Sequence, residues 1–329
     1  MPVLFLNRAD VESLLPYGEC IEVMADALAA LARGEALQPL RTAHWLPDRR
    51  GLVVAMPGGL FGGGDGVLGV KVLTVFPGNA AHGEESHQGA VLLFEAERGR
   101  PLAFLDASSI TAIRTAAVSA LATRLLAREG AGDLAILGTG VQASTHLAAL
   151  REVRPLRRVR VWSRDPENVR RFAAAESPRH GLPVEPAESA REAVDGADII
   201  CTVSAATEPI LKGDWIAPGA HVNAVGACTP NARELDTAAV VRACLFVDRR
   251  ESALHEPGEI LTPLREGAIR EDHIVGEIGE LLIGKVAGRR AADEVTLFES
   301  LGLTVEDLAA ARHIYHQALE QGRGVSLAL

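Results

Sequence analysis

Gly138, Gly140 and Ala143 stand at G-x-G-x-x-A spacing, directly after the apolar run 133–137 and ahead of an Ala/Leu-rich stretch leading to a second apolar run, 159–162. Strand, glycine turn, helix and strand in that order form the first half of a mononucleotide-binding unit. Gly138 permits the tight strand-to-helix turn, Gly140 leaves room for a pyrophosphate against the backbone, and Ala143 lets the helix pack close on the strand. The helix start then offers the N–H groups of Val141 and Gln142 and the positive end of its dipole to the phosphates. The second strand ends in Ser163-Arg164. A hydroxyl and a guanidinium there suit a ribose 2′-phosphate, which favours NADP(H) over NAD(H). Asp165, one place on, is the alternative partner, for an unphosphorylated ribose.

The rest of the chain must carry this unit and bring a substrate to it. Its 329 residues suit two domains, and a composition of 48% hydrophobic and 23% charged residues marks a folded globular protein. A net charge of −10 excludes the basic surface that nucleic-acid binding needs. Four cysteines (Cys20, Cys201, Cys228 and Cys244) lack zinc-ligand spacing, so neither a metal centre nor a disulfide framework is expected. There is no signal-peptide pattern at the start and no apolar segment long enough to span a bilayer, so a cytoplasmic protein without membrane contact is expected.

Apolar spacing over 11–32, interrupted at Pro16-Tyr-Gly18, predicts two helices after a short strand at 3–6. Runs at 40–45, 52–56, 67–76, 90–94 and 99–105 predict strands of a mixed or antiparallel sheet, and the glycine run from Gly58 to Gly64 predicts a loop. Residues 110–128 predict a long Ala-rich helix. From about Gly132 helices at 166–175 and 189–194 alternate with strands at 183–185, 199–202, 222–225 and 245–247, the mark of a doubly wound parallel sheet. A return segment from 294 to 301 precedes a final helix opening at Thr304-Val-Glu306-Asp307. The expected architecture is α/β: a Rossmann domain over 121–304 and a discontinuous α+β domain, 1–120 with 305–329, for substrate binding and dimerisation.

Five separated motifs add a resemblance. Gly69-Val-Lys71-Val-Leu-Thr-Val-Phe76-Pro-Gly-Asn79, Ile110-Thr-Ala-Ile-Arg114-Thr-Ala-Ala-Val-Ser-Ala120, the glycine turn, Asn223-Ala-Val225-Gly226-Ala227 and Thr296-Leu297-Phe-Glu-Ser-Leu-Gly302 with Val305-Glu306-Asp307 resemble the ornithine cyclodeaminase/mu-crystallin family. The resemblance implies a homodimer and redox chemistry at the α-carbon of small amino or cyclic imino acids. It also implies that Arg41, Lys71 and Arg114 clamp a substrate carboxylate, with Leu297 closing the substrate site. Guanidinium groups grip carboxylates bidentately, and a lysine in an apolar strand can act as a proton donor. Arg114, in an apolar helix, needs an anionic partner on physical grounds alone. Around the cofactor the resemblance places Ser86, Arg114, Thr202, Val203, Val225, Gly226, Ala227 and Thr296, beside the glycine turn.

One departure separates activities within the family. Its cyclodeaminases and alanine dehydrogenases carry an aspartate where this chain has Cys228, in Gly226-Ala227-Cys228-Thr-Pro230. A free thiol, with a pKa of about 8.5, is a poorer proton carrier for cyclodeamination than a carboxylate. The following Arg233-Glu-Leu-Asp236 string resembles the ketimine reductase branch. That branch implies NAD(P)H-dependent reduction of a cyclic ketimine carboxylate, with Lys71, Arg114 and Cys228 as the catalytic set. The alternatives are a cyclodeaminase or alanine dehydrogenase-like enzyme, and a binding protein that holds NADPH and a small ligand without turnover.

Overall fold

The computed structural model describes residues 2–62 and 65–328, which fall into two compact units, Met1–Arg114 with Gly302–Leu329, and Thr115–Leu301. The breaks therefore lie at 114/115 and 301/302, earlier than the expected 120/121 and 304/305. Hydrogen bonding explains both shifts. Arg114 is paired with Glu306 and Asp307 of the returning chain, whereas the Leu301 amide is held by Asp248 at 2.7 Å, inside the second unit.

The first unit opens with β1 (Pro2–Leu6), α1 (Arg8–Leu14) and α2 (Tyr17–Ala32). Asn7 and Asp10 exchange capping hydrogen bonds at the start of α1. The strands β2 (Ala36–Leu37), β3 (Thr42–Trp45), β4 (Leu52–Leu60), β5 (Val67–Val75), β6 (His87–Glu95) and β7 (Pro101–Asp106) follow, and then α3 (Ala107–Leu126). Antiparallel pairing of β4, β5, β6 and β7 builds the sheet, and β1 joins β7 in parallel. The chain returns as helix α11 (Thr304–Gln321) and ends in β16 (Val325–Ala328), an edge strand antiparallel to β1 that the residue pattern did not announce.

Gly58 and Gly59 are not loop residues; they lie within β4, and Gly63 and Gly64 of the same run lie outside the described residues. Helix packing is the reason for these strand glycines. A Cβ at Gly58 would come within 2.9 Å of Thr304 Cγ2, and one at Gly69 within 2.5 Å of Leu308 Cδ2, so α11 lies against bare backbone. Strand alternation puts Lys71 on this same covered face, in register with Met56 and Val91, both buried. Val53, Val72, Phe104 and Phe5 belong to the opposite face and are exposed.

The second unit takes the remainder of α3 and alternates β8 (Asp133–Leu137), α4 (Val141–Val153), β9 (Arg158–Trp162), α5 (Pro166–His180), β10 (Val184–Pro186), α6 (Ala190–Val194), β11 (Ile199–Thr202) and β12 (His221–Ala224). It continues through α7 (Thr237–Arg242), β13 (Cys244–Val247), α8 (Arg250–Ala253), α9 (Gly258–Arg265), β14 (Ile274–Glu277), α10 (Ile278–Leu282) and β15 (Thr296–Glu299). The order is β10-β9-β8-β11-β12-β15-β13-β14, parallel throughout. Strands run outward in both directions from the β8/β11 pair, the switch point at which doubly wound sheets bind ligands. α3 is apolar on almost every side because it is buried on almost every side, from Ala116 through Leu126. Among the described residues no helix is long and apolar enough to cross a membrane.

Candidate functional site

The first unit gathers three cations and two carboxylates. Lys71 Nζ lies 2.7 Å from Asp307 Oδ2 and donates to Thr111 Oγ1 at 3.3 Å. Arg114 donates through Nε to the other Asp307 oxygen at 3.0 Å and through Nη1 to Glu306 Oε2 at 2.8 Å. Lys71, Arg114, Glu306 and Asp307 are all buried. Arg41, half-buried, donates to the Gly302 carbonyl at 2.9 Å. Gly302 has φ +76°, and a Cβ there would run into the Arg114 guanidinium, so the turn into α11 must be glycine. Formal charges of Arg41, Lys71 and Arg114 against Glu306 and Asp307 leave one positive charge in excess, which suits an incoming carboxylate.

Burial drives the Lys71 ammonium down to about 8, with Arg114 and Arg41 adding to the fall and Asp307 opposing it. Burial alone would raise the Asp307 carboxyl; Arg114 and Lys71 outweigh it and hold it below the ordinary carboxylate range. Lys71 can thus give up or keep a proton near neutrality while its partner stays ionised. Glu306 and Asp307 were legible as a helix start and as part of a family motif, not as partners of Lys71 and Arg114. The usable signal was two adjacent acids within the apolar run 303–311, since buried charge demands a partner.

The second unit carries the glycine turn at its switch point. Gly138 has φ +138°, and a Cβ on it would sit 2.6 Å from the Val203 carbonyl oxygen, so the closeness of the β8 and β11 ends requires glycine. Nothing in the protein lies within 4 Å of a Cβ built on Gly140. Packing makes no demand for glycine there, and the open space is what a pyrophosphate needs. Val141 and Gln142 head α4, where their N–H groups have no intrahelical acceptor, and Ala143 is fully buried against the sheet. The residues present therefore fit a dinucleotide. Ser163 donates to the Asp165 carbonyl at 3.1 Å, and the Asp165 side chain caps α5 by accepting from the Glu167 amide at 2.9 Å. Arg164 is exposed and pairs with no carboxylate among the described residues.

Thr202 ends β11 and Val203 follows it, and Val225, Gly226 and Ala227 follow β12, so these loops share the C-terminal edge of the sheet with the glycine turn. Half-buried Cys228 comes next, its Sγ 3.8 Å from the Val225 carbonyl oxygen. Ser86 belongs to the first unit, just before β6, where its hydroxyl meets His87 Nδ1 at 2.9 Å.

Thr296 and Leu297 do not belong to this edge. Thr296 opens β15 at the opposite end of a parallel strand, fully buried, and is bonded to His221 Nδ1 at 3.0 Å and to Arg289. Leu297 is core. In a parallel sheet the residues that follow a strand reach the ligand crevice, and Thr296 and Leu297, at the start of β15 and in the core, lie away from it. Among the described residues no group of His, Cys, Asp and Glu could hold a metal ion.

Comparison with known proteins follows the same lines. The model of the ornithine cyclodeaminase/mu-crystallin family matches residues 2–322. The ketimine reductase mu-crystallin of Mus musculus is 41% identical over 315 residues, covering 94% of this chain and 96% of that protein. The structure of Thermococcus litoralis Δ1-pyrroline-2-carboxylate reductase in complex with NADH and L-proline superposes with a TM-score of 0.95 at 39% identity, covering 99% of this chain and 100% of that one. An archaeal alanine dehydrogenase dimer with bound NAD gives 0.93 at 30% identity, with all of both chains covered.

Proposed function

The chain belongs to the ornithine cyclodeaminase/mu-crystallin family, and we propose that within it the protein is an NAD(P)H-dependent ketimine reductase. Its substrate is a cyclic ketimine carboxylate of the Δ1-pyrroline-2-carboxylate or Δ1-piperideine-2-carboxylate type, and its product the cyclic L-amino acid. The observation that carries this reading is the buried Lys71, placed between Asp307 and Thr111 and brought close to neutrality. Arg41 and Arg114 supply the guanidinium groups for the substrate carboxylate, and the excess positive charge of the cluster balances it. Lys71 keeps the imine nitrogen protonated, which makes C2 electron-poor. The nicotinamide supplies the hydride that adds to C2. Cys228 stands where a cyclodeaminase needs a carboxylate, so proton handling falls to Lys71 and to water held near the thiol.

NADPH is the preferred donor in this reading. Asp165 spends one carboxylate oxygen on the α5 cap, while exposed Arg164 stands at the end of β9 for a 2′-phosphate, which the Ser163 hydroxyl reaches only by giving up the Asp165 carbonyl. The working form is a homodimer built on the open face of the first unit's sheet. Phe5 and Phe104 stack there at 5.7 Å, with Val325 exposed in register with Phe5 and Val72 and Val53 exposed further across the same face. Exposed large apolar side chains gathered on one sheet face mark an interaction surface.

The test is a set of parallel assays: NADPH oxidation with Δ1-pyrroline-2-carboxylate, ammonia release from ornithine, and NAD+ reduction by alanine. Turnover with the imine alone is expected. Ammonia or NADH formation would reassign the protein to the cyclodeaminases or alanine dehydrogenases, and tight NADPH binding with no turnover in any assay would make it a binding protein.

A further inference from the structure

Glu234 is fully buried just beyond the sheet edge that carries the β11 and β12 loops. Its Oε1 accepts from the Ser204 amide at 2.7 Å and from the Ser204 hydroxyl at 2.6 Å, and its Oε2 accepts from the Gly226 amide at 2.8 Å. One carboxylate thus ties together the loop after β11 and the loop after β12. The two loops already touch: the Val225 amide donates to the Thr202 carbonyl at 3.0 Å, and a Cβ on Gly226 would collide with the Ser204 carbonyl oxygen and come within 2.6 Å of Glu234 Oε2.

Glu234 is itself fixed through its backbone. Its carbonyl accepts from Ile210 and Leu211 at 2.7 and 2.9 Å, and its amide donates to Glu259 Oε1 at 2.6 Å. No ion pair to Glu234 exists among the described residues. A carboxyl buried beside other carboxyls without a cation is costly, and burial does push its pKa up, with the Ser204 and Gly226 donors holding it back. The donor set explains why glutamate stands here. Three N–H and O–H donors converge on it, a carboxylate is acceptor-only, and the amide of glutamine would turn an N–H2 toward one of them.

We propose that Glu234 is a positioning residue for hydride transfer. It fixes the spacing of the 202–204 and 225–227 loops and, through the Gly226 amide, the backbone that the resemblance sets beside the cofactor. The role rests on the nicotinamide-reductase reading, and the experiment separates the two. NAD(P)H binding to the wild-type protein is titrated by cofactor fluorescence; absence of binding would defeat the reading itself.

Given binding, folded Glu234→Gln is expected to lower kcat about ten- to hundredfold, as a small misplacement of a reacting group does, and to weaken NAD(P)H binding. KM for the imine is expected to stay within about twofold, since the cation cluster is untouched. The primary isotope effect with 4-deuterated NAD(P)H rises as hydride transfer becomes the slow step. Unchanged kcat and cofactor affinity, or a lowered kcat with an unchanged isotope effect, overturns the proposal. Should Glu234→Gln fail to fold, Ser204→Ala decides. A fall in kcat of about threefold or more, from loss of one charge-assisted hydrogen bond, supports the role, and wild-type kcat and binding overturn it.

Discussion

Asp307→Asn removes one negative charge from the cation cluster at nearly constant shape. The carboxylate is fully buried and bridges Lys71 Nζ at 2.7 Å and Arg114 Nε at 3.0 Å. Deleting one member of a buried pair costs about 3 to 5 kcal/mol, because the remaining charge is left uncompensated. Asparagine keeps one acceptor oxygen and Arg114 shares the loss, so about half of the lower end, about 1.4 kcal/mol or about one pKa unit, falls on Lys71. Lys71, at about 8 in the native protein, then titrates about one unit lower. An ammonium is protonated below its pKa, so activity that needs its proton is full at low pH and is lost as pH rises through that value. At about pH 7.5 the protonated fraction falls from about three-quarters to about one quarter, and kcat/KM drops about threefold. The assay is NADPH oxidation with a cyclic ketimine carboxylate from about pH 5.5 to about pH 9.5, beside a thermal melt. A descending limb that stays near 8 in a folded variant refutes the role given to Lys71 and Asp307.

Other perturbations reach other parts of the protein. Arg164→Ala is expected to lower kcat/KM for NADPH about tenfold and to change NADH turnover little; equal losses with both cofactors would count against a 2′-phosphate contact. His146 and His221 are fully buried, and burial brings them down to about 4 and about 3. The unfolded chain binds these protons first as pH drops below about 6.5, so each histidine costs about 2 to 3 kcal/mol of stability between pH 7 and about pH 4.5. Urea midpoints measured across that range check the slope, and a flat profile contradicts it. Phe104→Glu puts a charge on the apolar sheet face and is expected to shift the protein toward monomer in sedimentation; an unchanged mass would place the interface elsewhere.

The glycine turn was legible because its spacing lies within one short stretch of chain between a strand and a helix. Gly138 obeys a positive φ and a neighbouring carbonyl, and Ala143 a helix close to its strand. Strands with clear alternation, such as β5, and helices with clear breaks, such as α1 and α2 around Pro16, were legible for the same reason. The run beginning at Gly58 misled because glycine has two unrelated uses, flexibility in turns and clearance under a packed helix, and residue type alone does not separate them. Thr296 misled for another reason: a motif records order along the chain but not which end of a parallel strand meets the ligand.

By itself the sequence determined a dinucleotide turn, two cations in apolar segments at Lys71 and Arg114, and a thiol at Cys228 in place of a carboxylate. Local chemistry and spacing suffice for the turn and for the demand of Arg114 for an anionic partner; the weight placed on Lys71 and Cys228 came from the family resemblance. Tertiary structure alone decided that Asp307 bridges Lys71 and Arg114, more than 190 residues away from the latter, and that Glu234 ties Ser204 to Gly226. Both are pairings of buried charge or hydrogen-bond demand across long stretches of chain. Burial is a property of the packed whole, so the need for each partner arises only once the fold has taken water away.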